Sequence, residues 1–204
     1  MDMAAELILL LPVLLLSLSL HEYAHGKMAD LLGDPTPKMT GRLTLNPMAH
    51  LSLIGTLVLI MTRRFGWAKP VQVNPSYFDD KRKGMMLVGL AGPLANVSLA
   101  IVFTFFFRSL GPVLYQFIDR IIIERLFING ILINLGLAIF NSIPVPPLDG
   151  SKILRGLIPR KYDYIFRNLE AYGPFVLLFA VFTGLIGRII LPIINILFNL
   201  LMRI

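Results

Sequence analysis

The chain has 204 residues, 56% of them hydrophobic and only 15% charged, with no cysteine and a net charge of +7. That balance is far from the soluble globular norm, and several apolar runs approach or reach bilayer length, so the sequence predicts an integral membrane protein. The positive excess then reads as loop Lys and Arg that set orientation and touch anionic lipid, with no nucleic acid as partner. The absence of Cys excludes disulfides, iron–sulfur clusters and thiolate metal sites, so any metal must be held by His and carboxylate.

The first element is an apolar run, residues 7–20, with no charge in it, leading into His21-Glu22-Tyr23-Ala24-His25. Asp2 and Glu6 are the only charges before the motif, there is no basic n-region and no clear cleavage site, so a retained helix over about residues 4–32 is expected, stopped by Gly33-Asp34-Pro35. On a helix, His21 and His25 share one face a turn apart. The H-E-x-x-H pattern suits a shared tetrahedral zinc ion with Glu22 beside the water. Ionisable groups continuing a lipid-facing segment are costly and point to function.

Residues 36–47 are broken by prolines and glycine, and Arg42-Leu43-Thr44-Leu45-Asn46 alternates polar and apolar like a short strand. Residues 49–61 form an apolar run too short for an ordinary span, and residues 66–75 are again strand-like. A charged cluster at residues 79–83 precedes a span over 84–107, in which Ala91, Gly92, Ala95 and Ser98 allow close helix contact. A second span is expected from Leu126 to Ile139, followed by Asn141-Ser142-Ile143-Pro144-Val145-Pro146-Pro147-Leu148-Asp149-Gly150, whose prolines forbid a continuous helix. Residues 151–170 are polar and basic. Residues 174–204 are apolar but too short for two full spans, so one span plus a broken or interfacial helix is expected.

A catalytic zinc needs a third protein ligand. A His ten residues after His21 would fall on Leu31, and no Glu lies between Glu22 and Glu124, which leaves His50 and Asp149. A carboxylate on broken backbone at the end of a span calls for a cation, although Asp149 also suits an ordinary helix cap. Charge gives a further constraint. Nine Lys and Arg lie between residues 26 and 83 and five between 142 and 172, against three between 108 and 125. If residues 49–61 dip in and return, fourteen of these charges share one side, and His25 and Asp149 emerge there together, towards the cytoplasm.

The H-E-Y-A-H motif, the A-G-P-L-A-N stretch (Ala91 to Asn96) and the N-x-x-P-x-P-x-L-D-G stretch (Asn141 to Gly150) together resemble the site-2 protease family of intramembrane zinc metalloproteases. The resemblance runs from His21 to about Leu154 and is nearest the compact prokaryotic branch without PDZ or CBS domains. It implies an all-α polytopic membrane protein: a three-helix catalytic core over about residues 4–160, a re-entrant β-hairpin-like segment, and C-terminal hydrophobic helices at about 172–204, all in one domain. It further implies one zinc per chain held by His21, His25 and Asp149, with Glu22 as the acid/base and Asn141 assisting the oxyanion. His50 is a second candidate donor or an interfacial structural residue. The expected substrate is a transmembrane protein, pre-trimmed by another protease in some systems, cut within or near its membrane helix, with residues 41–46 offering an edge for it to pair with. The alternatives are an intramembrane metal-ion transporter and a catalytically silent helix-binding relative. Glu22 separates them, because a transporter has no need of a base beside its ligand.

Overall fold

A computed structural model describes residues 3–52, 55 and 69–203 of the chain. The first helix, α1 (Met3–Leu31), runs through the histidine motif without a break and ends where Gly33 takes a positive φ of 94°. Asp34, fully buried, closes this end: its carboxylate accepts from the backbone N–H of Thr36 at 2.9 Å and of Asn74 at 2.7 Å. Two short helices follow, α2 (Thr36–Met39) and α3 (Pro47–His50), both packed on α1.

Among the described residues there is no strand. Residues 42–46, which alternate like a strand, are bent instead, because the N–H groups of Arg42 and Leu43 both donate to the Pro37 carbonyl. The expected dip of residues 49–61 lies outside the described residues except at 49–52 and 55, as do 66–68 of the second strand-like stretch. Its remainder, residues 69–74, is irregular and tied back by Lys69 N–H to the His50 carbonyl at 2.7 Å.

Helix α4 (Lys81–Leu114) is 34 residues long and is capped by Asp80, whose side chain accepts from the N–H groups of Arg82 and Lys83. The Lys83 N–H, with that of Arg82 and the Lys83 charge behind it, holds the Asp80 carboxyl below its ordinary pKa against a slight desolvation. Helix α5 (Arg120–Asn141) returns beside it, capped by Asp119. Helix α6 (Asp149–Leu157) follows the proline-rich turn, and α7 (Asp163–Phe182) and α8 (Leu185–Arg203) complete the chain.

Helix α4 is the centre of the bundle: α1, α5 and α6 all pack on it, while α8 leans on α5. Small residues permit this. A Cβ on Gly130 would meet the Phe103 ring at 2.8 Å, and one on Gly89 would lie 3.1 Å from both the Asp149 carbonyl and Lys152 Cβ. Ala100, Ile131, Leu135, Ile190 and Ile194 form the apolar core between α4, α5 and α8. Large apolar side chains such as Phe105, Phe117, Phe179 and Leu200 face outward, as lipid contact requires.

Four of these helices are long and apolar enough to cross a membrane, and a bent pair, Arg160–Phe166 with Leu169–Phe182, would make a fifth. The chain is a multi-pass membrane protein. The C-terminal region has the expected form of one span, α8, beside a broken helix: α7 is bent and begins well before Pro174, and Gly184 at φ 71° turns the chain between the two.

Candidate metal centre

Three acceptor atoms meet between α1 and the start of α6. The His21 and His25 Nε2 atoms are 3.0 Å apart, and Asp149 Oδ2 lies 3.2 Å from the first and 3.1 Å from the second. The i, i+4 spacing brings the imidazoles together edge to face, with ring centres 4.6 Å apart. Asp149 arrives because the chain turns sharply after α5, with Gly150 packed directly on the Ser142 carbonyl where no Cβ would fit. Leu148, not Asp149, stands at the cap position of α6, and its side chain caps nothing, so the Asp149 carboxylate is available to the imidazoles. All three side chains are buried.

The protons of the two rings are spoken for on their far sides. His25 Nδ1 lies 2.6 Å from the Val88 carbonyl, which can only accept, so this nitrogen carries the proton and Nε2 carries a lone pair. His21 Nδ1 lies 2.6 Å from Asn96 Oδ1, which accepts in the same way. With both rings neutral, two imidazole lone pairs and a carboxylate oxygen therefore face one another. Such an arrangement wants a cation. Nitrogen and oxygen donors of this kind, with edges near the ~3.3 Å expected of a tetrahedron with bonds of about 2.0–2.1 Å, suit zinc. Among the described residues this is the one group of three or more such side chains close enough to share a metal ion.

A cleft of about 300 Å³ opens on the three atoms, lined also by Glu22, Val71 and Asn141. Glu22 contributes none of the converging atoms. Its Oε2 accepts from the Val71 N–H at 2.9 Å, so residues 69–74 lie across the mouth of the site. The Asn141 amide donates to the Leu137 carbonyl at 2.9 Å and keeps a second N–H. The structure thus gathers His21, Glu22, His25, Asn141 and Asp149 at one cleft. His50 is not among its lining residues: it is buried beside α1, where Nε2 donates to the Thr44 carbonyl at 2.8 Å.

Three contributors have weaker sequence signals. Gly92 lets α4 approach the motif, since a Cβ there would lie 2.5 Å from His25 Nε2 and 2.6 Å from His21 Cε1. Lys152 donates to Asp149 Oδ1 at 2.8 Å. Asn134 sits fully buried behind Asn96, and its only sequence signal is an amide in an apolar span.

Comparison with known proteins places the chain in a family. The model of Peptidase family M50 matches residues 115–182. YwhC of Bacillus subtilis (strain 168) is 36% identical over 184 residues, which cover 89% of this chain and 84% of YwhC. The chain belongs to peptidase family M50. Rip2 of Mycolicibacterium smegmatis is 25% identical over 85% of the chain and 66% of its own length. MJ0392 of Methanocaldococcus jannaschii is 34% identical over 41% of the chain and 23% of its own length. The words "zinc metalloprotease" stand in the names of all three. No solved structure matches the chain. Membership of this family, also known as the site-2 protease family, agrees with the resemblance carried by the three sequence motifs.

Proposed function

We propose that the chain is an intramembrane zinc metalloprotease that hydrolyses a peptide bond within or near a transmembrane helix of another membrane protein. The observation that carries this reading is the convergence of the His21, His25 and Asp149 acceptors in a cleft that also holds Glu22. One zinc ion per chain would be held by His21, His25 and Asp149. When bound, it supplies Lewis acidity to the attacking water and to the scissile carbonyl.

The rest falls to the chain's own residues. Glu22 takes the proton of the attacking water and returns it to the leaving amine. Its pairing with Val71 N–H means that residues 69–74 must shift or share the site as substrate enters. Asn141 donates its second amide N–H to the developing oxyanion, a contact of a kind typically worth about 3 kcal/mol. A helical substrate must first unwind, because its carbonyls are engaged in i to i−4 bonds. The bent residues 41–46 offer no extended edge, so the limb at residues 69–74, next to Glu22, is the better candidate to meet the unwound backbone. The distribution of Lys and Arg supports a site towards the cytoplasmic side. The substrate class is a transmembrane protein, including one pre-trimmed by another protease.

The test is purified full chain in lipid with a transmembrane substrate. Cleavage by the wild type, abolished by chelator and by Glu22→Ala while Glu22→Ala still binds zinc, supports the protease. Equal metal flux through both forms without cleavage would favour a transporter.

A further inference from the structure

Behind the histidines, away from the cleft, lies a chain of polar groups that no catalytic step uses. Ser17, Asn96 and Asn134 come from α1, α4 and α5 and are all fully buried. Three unpaired amides or hydroxyls there would be costly, yet each is satisfied, and each has only one orientation that satisfies it.

The orientations follow from backbone carbonyls, which can only accept. The Ser17 hydroxyl donates to the Val13 carbonyl at 2.8 Å, so its oxygen is left to accept. Asn134 Nδ2 donates to that oxygen at 2.9 Å and to the Gly130 carbonyl at 2.8 Å, which turns Asn134 Oδ1 towards α4. Asn96 Nδ2 donates to Asn134 Oδ1 at 2.9 Å and to the Ser17 carbonyl at 3.2 Å, which turns Asn96 Oδ1 towards His21. Reversing either amide would set oxygen against carbonyl oxygen. His21 Nδ1, at 2.6 Å, must then carry a proton, so that in the neutral ring Nε2 is the lone pair that faces the cleft.

We infer that Asn134 is a positioning residue of the metal centre: from α5, two hydrogen bonds away from His21 and touching no ligand, it fixes the ring tautomer and orientation needed for metal binding. His25 has no such dependence, because its Nδ1 is held directly by the Val88 backbone. The two histidines of one motif are therefore tuned by different means, and His21 alone answers to the placement of α5. Groups that fix the far nitrogen of a ligating imidazole typically change metal affinity by about 10- to 100-fold when removed. This inference rests on the zinc reading above, but its spectroscopic arm does not need zinc.

The experiment uses the full chain in lipid nanodiscs, with 15N-labelled histidine. Zinc affinity is read by competition with a chromophoric chelator, and the His21 tautomer from imidazole 15N shifts of the zinc-free protein at a pH high enough that the ring is neutral. Asn134→Leu keeps the size and removes the amide. Asn96 is then held only by its longer bond to the Ser17 carbonyl, at 3.2 Å, so zinc binding is expected to weaken by about tenfold and His21 to show a mixture of tautomers while His25 keeps one. Asn134→Asp, a buried neutral acid that can still accept from Asn96 and donate to Gly130 or Ser17, should restore both readouts. Ile131→Ala, a core truncation on the same helix outside the relay, should leave the tautomer unchanged. A single His21 tautomer in Asn134→Leu, or a loss of affinity no larger than that of Ile131→Ala, would overturn the proposal. If Asn134→Leu does not fold, Asn134→Ala decides: it removes the amide without adding bulk, and a single His21 tautomer with unchanged zinc affinity overturns the inference. A wild type that binds no zinc would sink the protease reading, while its 15N spectrum would still judge the relay.

Discussion

Lys152 Nζ sits 2.8 Å from Oδ1 of Asp149, while Oδ2 of the same carboxylate faces both imidazoles. The two oxygens thus have separate tasks, and the lysine, one helical turn along α6, decides which oxygen is presented. Lys152→Ala is expected to weaken zinc binding by about tenfold, and Lys152→Arg to recover most of it. Competition titration with a chromophoric chelator measures both.

Glu22 lies in the cleft but outside the trio of converging atoms. Glu22→Gln should keep zinc at one per chain and lose about 10²- to 10⁴-fold in cleavage rate, the usual worth of a positioned general base. Metal analysis and single-turnover cleavage of a transmembrane substrate on the same preparation check this. Loss of zinc along with activity would show that the carboxylate holds the metal.

Gly92→Ala separates close approach from helix propensity. Alanine ordinarily favours a helix interior by about 1 kcal/mol over glycine, but here its Cβ would press on both imidazoles. The variant should insert normally and lose zinc. Gly136→Ala, on α5, meets nothing nearer than Ile194 Cδ1 at 3.7 Å and should be neutral or slightly stabilising. Zinc content and thermal midpoints of the two variants form the comparison.

Removal of the metal should destabilise the fold reversibly. Without a metal the His21, His25 and Asp149 acceptors between α1 and α6 have at best a shared proton to hold them together. Zinc at a thousand times its dissociation constant stabilises the bound state by about 4 kcal/mol. Chelator should lower the thermal midpoint of the wild type, and zinc should restore it. Asp149→Ala should show little response to either.

The spans and the trio were legible in the sequence because charge is scarce in lipid. An uncharged run, a histidine pair at helical spacing and a carboxylate after three prolines leave little else for those residues to do. Where the chain leaves the apolar runs, competing hydrogen bonds decide, and the pattern alone misleads. Residues 42–46 alternate like a strand, yet the Pro37 carbonyl captures the N–H groups of Arg42 and Leu43 and bends them. By contrast, the C-terminal stretch was legible in outline as one span beside a broken helix, because about thirty apolar residues are too few to cross twice. The Asn134 relay was hidden for another reason: an isolated amide in a span signals a partner, but a single sequence does not say which.

Two independent rulers measure how deep the chemistry sits. His25 is six residues from the end of α1, or about 9 Å along the axis at 1.5 Å per residue. Val88, which grips that ring, is seven residues into α4, about 11 Å below its charged first turn. Both rulers put the trio within about two turns of one end of the bundle, not midway along it. On the protease reading, water would have only a short hop to make, and a victim helix would need to fray by only a turn or two at one end.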